Sequence, residues 1–180
     1  MEDKPLQYGP AIFVGSSIMA QWESLPQAFP QLPLLNTAIG GTQTHEILAR
    51  LDELVIRHAP PLVCYYCGSN DINAGVPPEA IVANTLKTYA TLREHLPGVR
   101  FVYLSIIKAP QKRARWDQVD AVNAALCAAA ERLEGFTYID VNPVFFTVEG
   151  EPWMGAYVED QLHLTAEAYE RLGRFVAARL

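Results

Sequence analysis

The chain is 180 residues long, 50% apolar and 19% charged, with 14 Lys+Arg against 20 Asp+Glu for a net charge of −6. That balance excludes disordered and fibrous classes and offers neither a basic footprint for nucleic acid nor a polybasic membrane anchor. A chain of this size buries roughly 70% of its unfolded surface, so residues 1–180 are expected to fold as one domain without staples.

Residues 1–10 are polar and charged and lack the apolar stretch of a secretory leader. No apolar run approaches the ~20 residues of a membrane span. Three cysteines, an odd number, fit a reducing compartment better than a disulfide scaffold. The expectation is a cytoplasmic protein with no membrane and no nucleic-acid partner.

The first apolar run, 11–14, predicts a strand feeding into Gly15-Ser16-Ser17-Ile18 and then an amphipathic helix. A hydroxyl there sits beside free amides and the positive end of a helix dipole, which favour a developing oxyanion. A plain serine N-cap is the competing reading. A second strand, 34–39, runs into Gly40-Gly41-Thr42. The glycine pair allows positive φ, which either points an amide at a ligand or simply turns the chain. Residues 46–58 carry Ile47, Leu48, Leu51, Leu54 and Val55 at helical spacing, and Pro60 stops that helix.

The third strand, 62–66, ends in Cys67-Gly68-Ser69-Asn70-Asp71. An asparagine amide can donate two hydrogens to an oxyanion, although Asn and Asp are also ordinary turn formers. Cys64 and Cys67 form a C-x-x-C, the spacing of redox and zinc pairs. Residues three apart on a strand point to opposite faces about 10 Å apart, so two buried cysteines are expected instead.

A helix over 78–96 opens with proline and glutamate, and a strand follows over 101–107. Lys108, Lys112, Arg113, Arg115 and Trp116 come next, a loop suited either to a sugar or anionic leaving group or to plain solvation. The helix over 117–133 carries Val119, Val122, Leu126 and Leu133 among alanines, and a fifth strand spans 136–141. Asp71 and Asn123 are read as structural. Trp153 and Tyr157 are either pocket walls or packing. They precede Asp160-Gln161-Leu162-His163, where carboxylate and imidazole, three residues apart, can meet in one turn. The last helix, 165–180, has Thr165 as its expected N-cap. His45, His58 and His95 lie in or near helical patterns without such a partner.

Strands alternating with helices imply an α/β fold with a five-stranded parallel sheet covered on both faces. Ligands in such sheets bind beyond the carboxyl ends of the strands. Those ends here carry a hydroxyl, two sets of oxyanion donors and an oriented base, the parts list for acyl transfer through an acyl-enzyme.

In this order, Gly15-Ser16-Ser17-Ile18, Gly40-Gly41, Gly68-Ser69-Asn70-Asp71 and Asp160-x-x-His163 resemble the four sequence blocks of the SGNH (GDSL-type) hydrolases. The resemblance implies a three-layer α/β/α sandwich with a flavodoxin-like sheet. It makes Ser17 the nucleophile and His163 the base oriented by Asp160. The amides of Ser17 and Gly41 and the Asn70 side chain become the oxyanion hole. No metal or cofactor is implied. Two positions depart from the family pattern. Ser16 replaces an aspartate beside the nucleophile, and Gln161 stands where glycine often follows the aspartate, with a local backbone effect expected. The G-x-S-x-G elbow and the Walker loop are absent.

The implied activity is a serine esterase acting on a small-molecule acyl ester of acetyl type, with carbohydrate as one candidate alcohol. The alternatives are an acyltransferase on the same scaffold or a non-catalytic flavodoxin-like ligand-binding module. A homo-oligomer is compatible with the composition.

Overall fold

The computed structural model describes residues 9–180. Most of the N-terminal stretch discussed above, residues 1–8, lies outside the described residues. Five strands, β1 (Ala11–Gly15), β2 (Leu34–Asn36), β3 (Leu62–Tyr66), β4 (Arg100–Leu104) and β5 (Phe136–Ile139), pair in parallel. Their order across the sheet is β2-β1-β3-β4-β5. This is the flavodoxin-like doubly wound order, whose switch point lies between β1 and β3, where crossovers leave on opposite faces.

The helices are α1 (Ser17–Ala20), α2 (Leu25–Ala28), α3 (Thr44–Ala49), α4 (Leu51–Leu54), α5 (Ser69–Asn73), α6 (Pro78–His95), α7 (Trp116–Ala130) and α8 (Ala166–Ala177). Tight 3₁₀ turns occupy Ile56–His58, Pro110–Arg115, Asn142–Val144 and Met154–Ala156. Among the described residues no helix is long and apolar enough to cross a membrane.

Strand residues alternate between two cores because successive side chains point to opposite faces. Ala11, Phe13, Leu62, Cys64, Tyr66, Val102 and Leu104 pack against Trp22, Leu25, Phe29, Tyr169, Leu172 and Val176 of α2, α8 and their approaches. Ile12, Val14, Val63, Tyr65, Cys67, Phe101 and Tyr103 pack against Ile47, Leu51, Ile81, Leu92, Val122 and Leu126 on the other face. Each such large side chain stabilises the fold by about 1.5–3 kcal/mol relative to exposure. The α8 contact is close: a Cβ on Gly173 would lie 2.7 Å from the Ala28 Cβ, so Gly173→Ala would force α8 off α2.

The strand ends are shorter than expected, for local reasons. Regular pairing of β2 stops at Asn36, whose side chain donates to the Met19 carbonyl (2.8 Å) and accepts from the Ala38 N–H (3.1 Å). The backbone still follows β1, since the N–H groups of Thr37 and Ile39 donate to Phe13 O and Gly15 O at 2.9 and 3.0 Å. β4 stops at Leu104. Just beyond it, Asn123 accepts from the Ile106 N–H and donates to the Ile106 carbonyl, both at 2.9 Å, so a side chain takes the place of a strand partner.

The helix expected over 46–58 is broken into α3, α4 and a 3₁₀ turn. At Arg50 the N–H is shared between Glu46 O and Ile47 O, which tightens the last turn of α3. Ala59, before Pro60, takes φ +46°, consistent with the exclusion of right-handed helix before proline. Thr165 caps α8 as expected, its Oγ1 accepting from the Ala168 N–H at 3.3 Å.

Candidate active site

β1 delivers Ser16 and Ser17 to the switch point. Ser16 is buried and holds the N-cap position of α1, although its side chain makes no capping hydrogen bond. Ser17, the first residue of α1, is half-buried, and its Oγ stands 3.0 Å from His163 Nε2. Of the two adjacent serines, Ser17 is therefore the one that meets the imidazole.

The glycine pair lies beside it. A Cβ built on Gly40 would come within 3.9 Å of the Ser17 Cβ, so this loop faces the hydroxyl. Gly41 has φ +83°, the left-handed region that glycine enters without strain. Its N–H makes no hydrogen bond among the described residues. Thr42 fixes the loop, its hydroxyl reaching Ile39 O (2.9 Å) and Gly15 O (3.2 Å) at the end of β1.

Across the switch point, β3 leads through Gly68 into α5. Gly68 has φ +126°, and a Cβ there would meet the Ile106 side chain at 2.6 Å, so both conformation and space call for glycine. Asn70 Nδ2 donates one hydrogen to the Thr42 carbonyl at 3.0 Å, which leaves its second hydrogen for a ligand. The next residue, Asp71, is wholly buried and accepts from the Thr44 N–H (3.0 Å) and the Thr44 hydroxyl (2.5 Å). Asn84 of α6 donates in turn to Thr44 Oγ1 at 3.1 Å. Asp71 is thus structural, as expected, and its structural task is to hold α5 to α3. Thr42 and Thr44 escape a sequence reading because their partners lie 25–28 residues away.

The third component is a tight loop. Val158 N–H donates to His163 O and Gln161 N–H to Val158 O, both at 2.9 Å, while Tyr157 and Leu164 form an antiparallel bridge. At its tip, Asp160 Oδ1 accepts from the N–H groups of Leu162 and His163 (2.9 Å each). Asp160 Oδ2 lies 2.5 Å from His163 Nδ1. A carboxylate only accepts, so Nδ1 carries the proton and Nε2 is free to accept from the Ser17 hydroxyl. The bond to His163 holds the Asp160 carboxyl down at about 2, with the two backbone amides adding to it. Gln161 has φ +58°, the left-handed region in which glycine is strain-free.

The basic stretch is a largely exposed 3₁₀ turn leading into α7, and its cations are engaged by neighbours. Lys108 pairs with Asp120 at 2.8 Å and Arg113 with Glu151 at 2.8 Å. Arg115 donates to the Ile72 and Asn73 carbonyls at the end of α5. Lys112 is buried with its amine on Gln111 Oε1 at 3.0 Å, and desolvation pulls it down to about 8. Trp153 and Tyr157 prove to be packing. Arg171 covers the Trp153 ring at 3.9 Å, and Tyr157 is buried beside Phe145.

Cys64 and Cys67 belong to opposite cores, so they do not form a pair, and burial pushes both thiols above their ordinary range. His45, His58 and His95 stay on α3, the 3₁₀ turn and α6.

A hydroxyl, an imidazole and a carboxylate in one hydrogen-bonded line, with spare N–H donors beside them at the switch point, form an arrangement suited to acyl transfer. The GDSL-like lipase/acylhydrolase family model matches residues 13–171. The chain belongs to this family of esterases and acylhydrolases.

It is 27% identical to an arylesterase of Vibrio mimicus over 187 residues, covering 99% of this chain and 88% of that protein. It is 28% identical to the platelet-activating factor acetylhydrolase IB subunit alpha1 of Homo sapiens over 147 residues, covering 77% of this chain. The matched stretch is 62% of that relative's length. The crystal structure of a GDSL-like lipase from Bacteroides thetaiotaomicron superposes with a TM-score of 0.81 at 19% identity, covering 99% of this chain and 91% of that one. That likeness shows a shared fold.

Proposed function

We propose that the chain is a serine esterase using Ser17, His163 and Asp160 as its triad and the Ser17 amide, the Gly41 amide and Asn70 Nδ2 as its oxyanion donors. The observation that carries this reading is the continuous hydrogen-bonded line from Ser17 Oγ through His163 (3.0 Å) to Asp160 (2.5 Å).

Ser17 Oγ attacks the ester carbonyl while His163 Nε2 takes its proton, and Asp160 holds the imidazolium that forms. The carbonyl oxygen becomes an oxyanion facing the three donors. Collapse breaks the C–O bond to the alcohol, which leaves with the proton from His163. Water then attacks the acyl-Ser17 by the same route, releasing the acid and restoring the hydroxyl.

The preferred substrate is a small, acetyl-type ester. The His163 side chain is 27% exposed and that of Asp160 47%, so the triad lies open at the sheet edge and not in a long acyl channel. An open site holds a short acyl group and leaves room for a bulky alcohol. The acetylhydrolase relative supports the same acyl size.

Carbohydrate is the alcohol we favour. A crevice of about 540 Å³ lies beyond the ends of β4 and β5, separate from Ser17 and His163, and is lined by Lys108, Asp120, Tyr138, Asp140, Asn142 and Phe146. That mixture of carboxylates, amide and aromatic rings suits hydroxyl groups and sugar faces. The free thiols Cys64, Cys67 and Cys127 support a reducing, cytoplasmic setting.

A fluorophosphonate probe mapped by mass spectrometry should label Ser17, and Ser17→Ala should abolish both labelling and p-nitrophenyl acetate hydrolysis. Labelling of Ser16, or full activity in Ser17→Ala, would overturn the assignment. An acyl panel with and without alcohol acceptors then separates hydrolysis from acyl transfer.

A further inference from the structure

The helix that carries Asn70 cannot hold itself in place. α5 has five residues, far below the ~12–15 at which an isolated helix becomes even marginal. Its position is set from outside, at its front by Asp71 on Thr44 and by Asn70 on Thr42. At its back, Asn73 O accepts from Arg115 Nη1 at 3.0 Å, and Ile72 O accepts from the same nitrogen. Arg115 is the last residue of the Pro110–Arg115 turn, 42 residues from Asn73 in sequence.

That turn is itself pinned. Trp116 Nε1 donates to Ala109 O at 3.0 Å, and the Lys112 N–H donates to the same carbonyl at 3.0 Å. It also touches the other half of the site, because the Gln111 N–H donates to Gln161 O at 3.2 Å, between Asp160 and His163.

We propose that Arg115 is a positioning residue for ester hydrolysis, gripping the carbonyl end of α5 so that the Asn70 amide stays at the oxyanion position. The inference rests on the reading of Asn70 as an oxyanion donor. A guanidinium suits the task because its charge opposes the negative end of the helix and its donors are held in a rigid plane. Rotation of a one-turn helix by a few degrees moves a side-chain amide by tenths of an ångström, and oxyanion stabilisation depends on that distance.

The test is a double-mutant cycle read in kcat and KM on p-nitrophenyl acetate. Arg115→Met should lower kcat by about 10-fold with KM changed less than about twofold, and Asn70→Ala should lower kcat by ~10²–10³. In the Asn70→Ala background, Arg115→Met should cost less than about twofold, because the group it positions is gone. Arg115→Lys should recover most of the loss, keeping the charge and one donor. A merely structural role would cost equally in both backgrounds.

Equal losses with and without Asn70, or a loss confined to KM, would overturn the proposal while leaving the triad intact. An Asn70→Ala variant with unchanged kcat would instead remove the oxyanion reading, and this inference with it. If Arg115→Met folds poorly, the same cycle run with Arg115→Lys gives a smaller loss that must also vanish without Asn70.

Discussion

The oxyanion side of the site and the acid–base side are held by different means. Asn70 sits on a short helix whose neighbours are buried: Asp71, Thr44 and Thr42 bond across residues far apart in the chain, and Arg115 closes the back. Asp160 and His163 sit at the exposed tip of an eight-residue loop held largely by its own hydrogen bonds, with one more from the Gln111 N–H to Gln161 O. Damage to the first side should therefore spread into stability, whereas damage to the second should stay within the chemistry. The comparison can be broken at four points.

His163→Ala carries the largest expected effect. Removing the base should cost ~10⁵–10⁶ in kcat, as for triad members that act as a unit. The loop's bonds run through the His163 backbone and survive the change, so the melting temperature should move by no more than a few degrees. A large drop in a thermal melt would show that the acid–base side is structural after all.

Asp160→Asn comes next, with ~10²–10⁴ lost in kcat because an amide can present the wrong partner to Nδ1. The same carboxyl gives a pH signature. Its value in the folded protein, about 2, lies below its ordinary 3.8. A lowered carboxyl stabilises the fold at all pH values above the ordinary value and loses that contribution as pH falls from about 4 toward 2. Wild type should thus lose stability relative to Asp160→Asn across that window. The margin should be small because Asp160 is nearly half exposed and screened by solvent.

Asp71→Ala tests the opposite side and should do the reverse. It strands the Thr44 N–H and hydroxyl in a buried place, at a cost of about 2–4 kcal/mol of stability in denaturant unfolding. Because Asp71 never touches substrate, kcat should fall only about 10-fold, through displacement of Asn70. A stable variant with a large kinetic defect would contradict the division between the two sides.

How much of this was legible in sequence follows the same division. Asp160 and His163 are three residues apart, so their meeting is a local event that spacing reveals. The five strands also read through, because apolar runs carry their own signal. The choice of Ser17 over Ser16 came from the family resemblance, and the order of the strands from the structure. The struts did not read through. α5 is too short to show helical periodicity, and Asp71 was read as structural without the partner that makes it so. The bonds of Arg115 and Thr44 join residues 42 and 27 apart, which only the fold brings together. The break at Arg50 was invisible for a related reason: the apolar spacing over 46–58 is helical on both sides of it.

The smallest expected effect belongs to Gln161→Gly. A side chain at φ +58° costs about 1–2 kcal/mol in left-handed strain, which glycine removes. Glycine also gives the unfolded chain more freedom, a cost of about 0.4–1 kcal/mol, so the net change should be a gain of roughly 0–1.6 kcal/mol. The loop should not loosen, because the Gln161 backbone is pinned on both sides, its N–H to Val158 O (2.9 Å) and its carbonyl to the Gln111 N–H (3.2 Å). Activity should therefore stay within about twofold of wild type. If kcat instead falls sharply with unchanged stability, the glutamine side chain takes part in holding Asp160 and His163. The acid–base side would then depend on a side chain as well as on backbone hydrogen bonds.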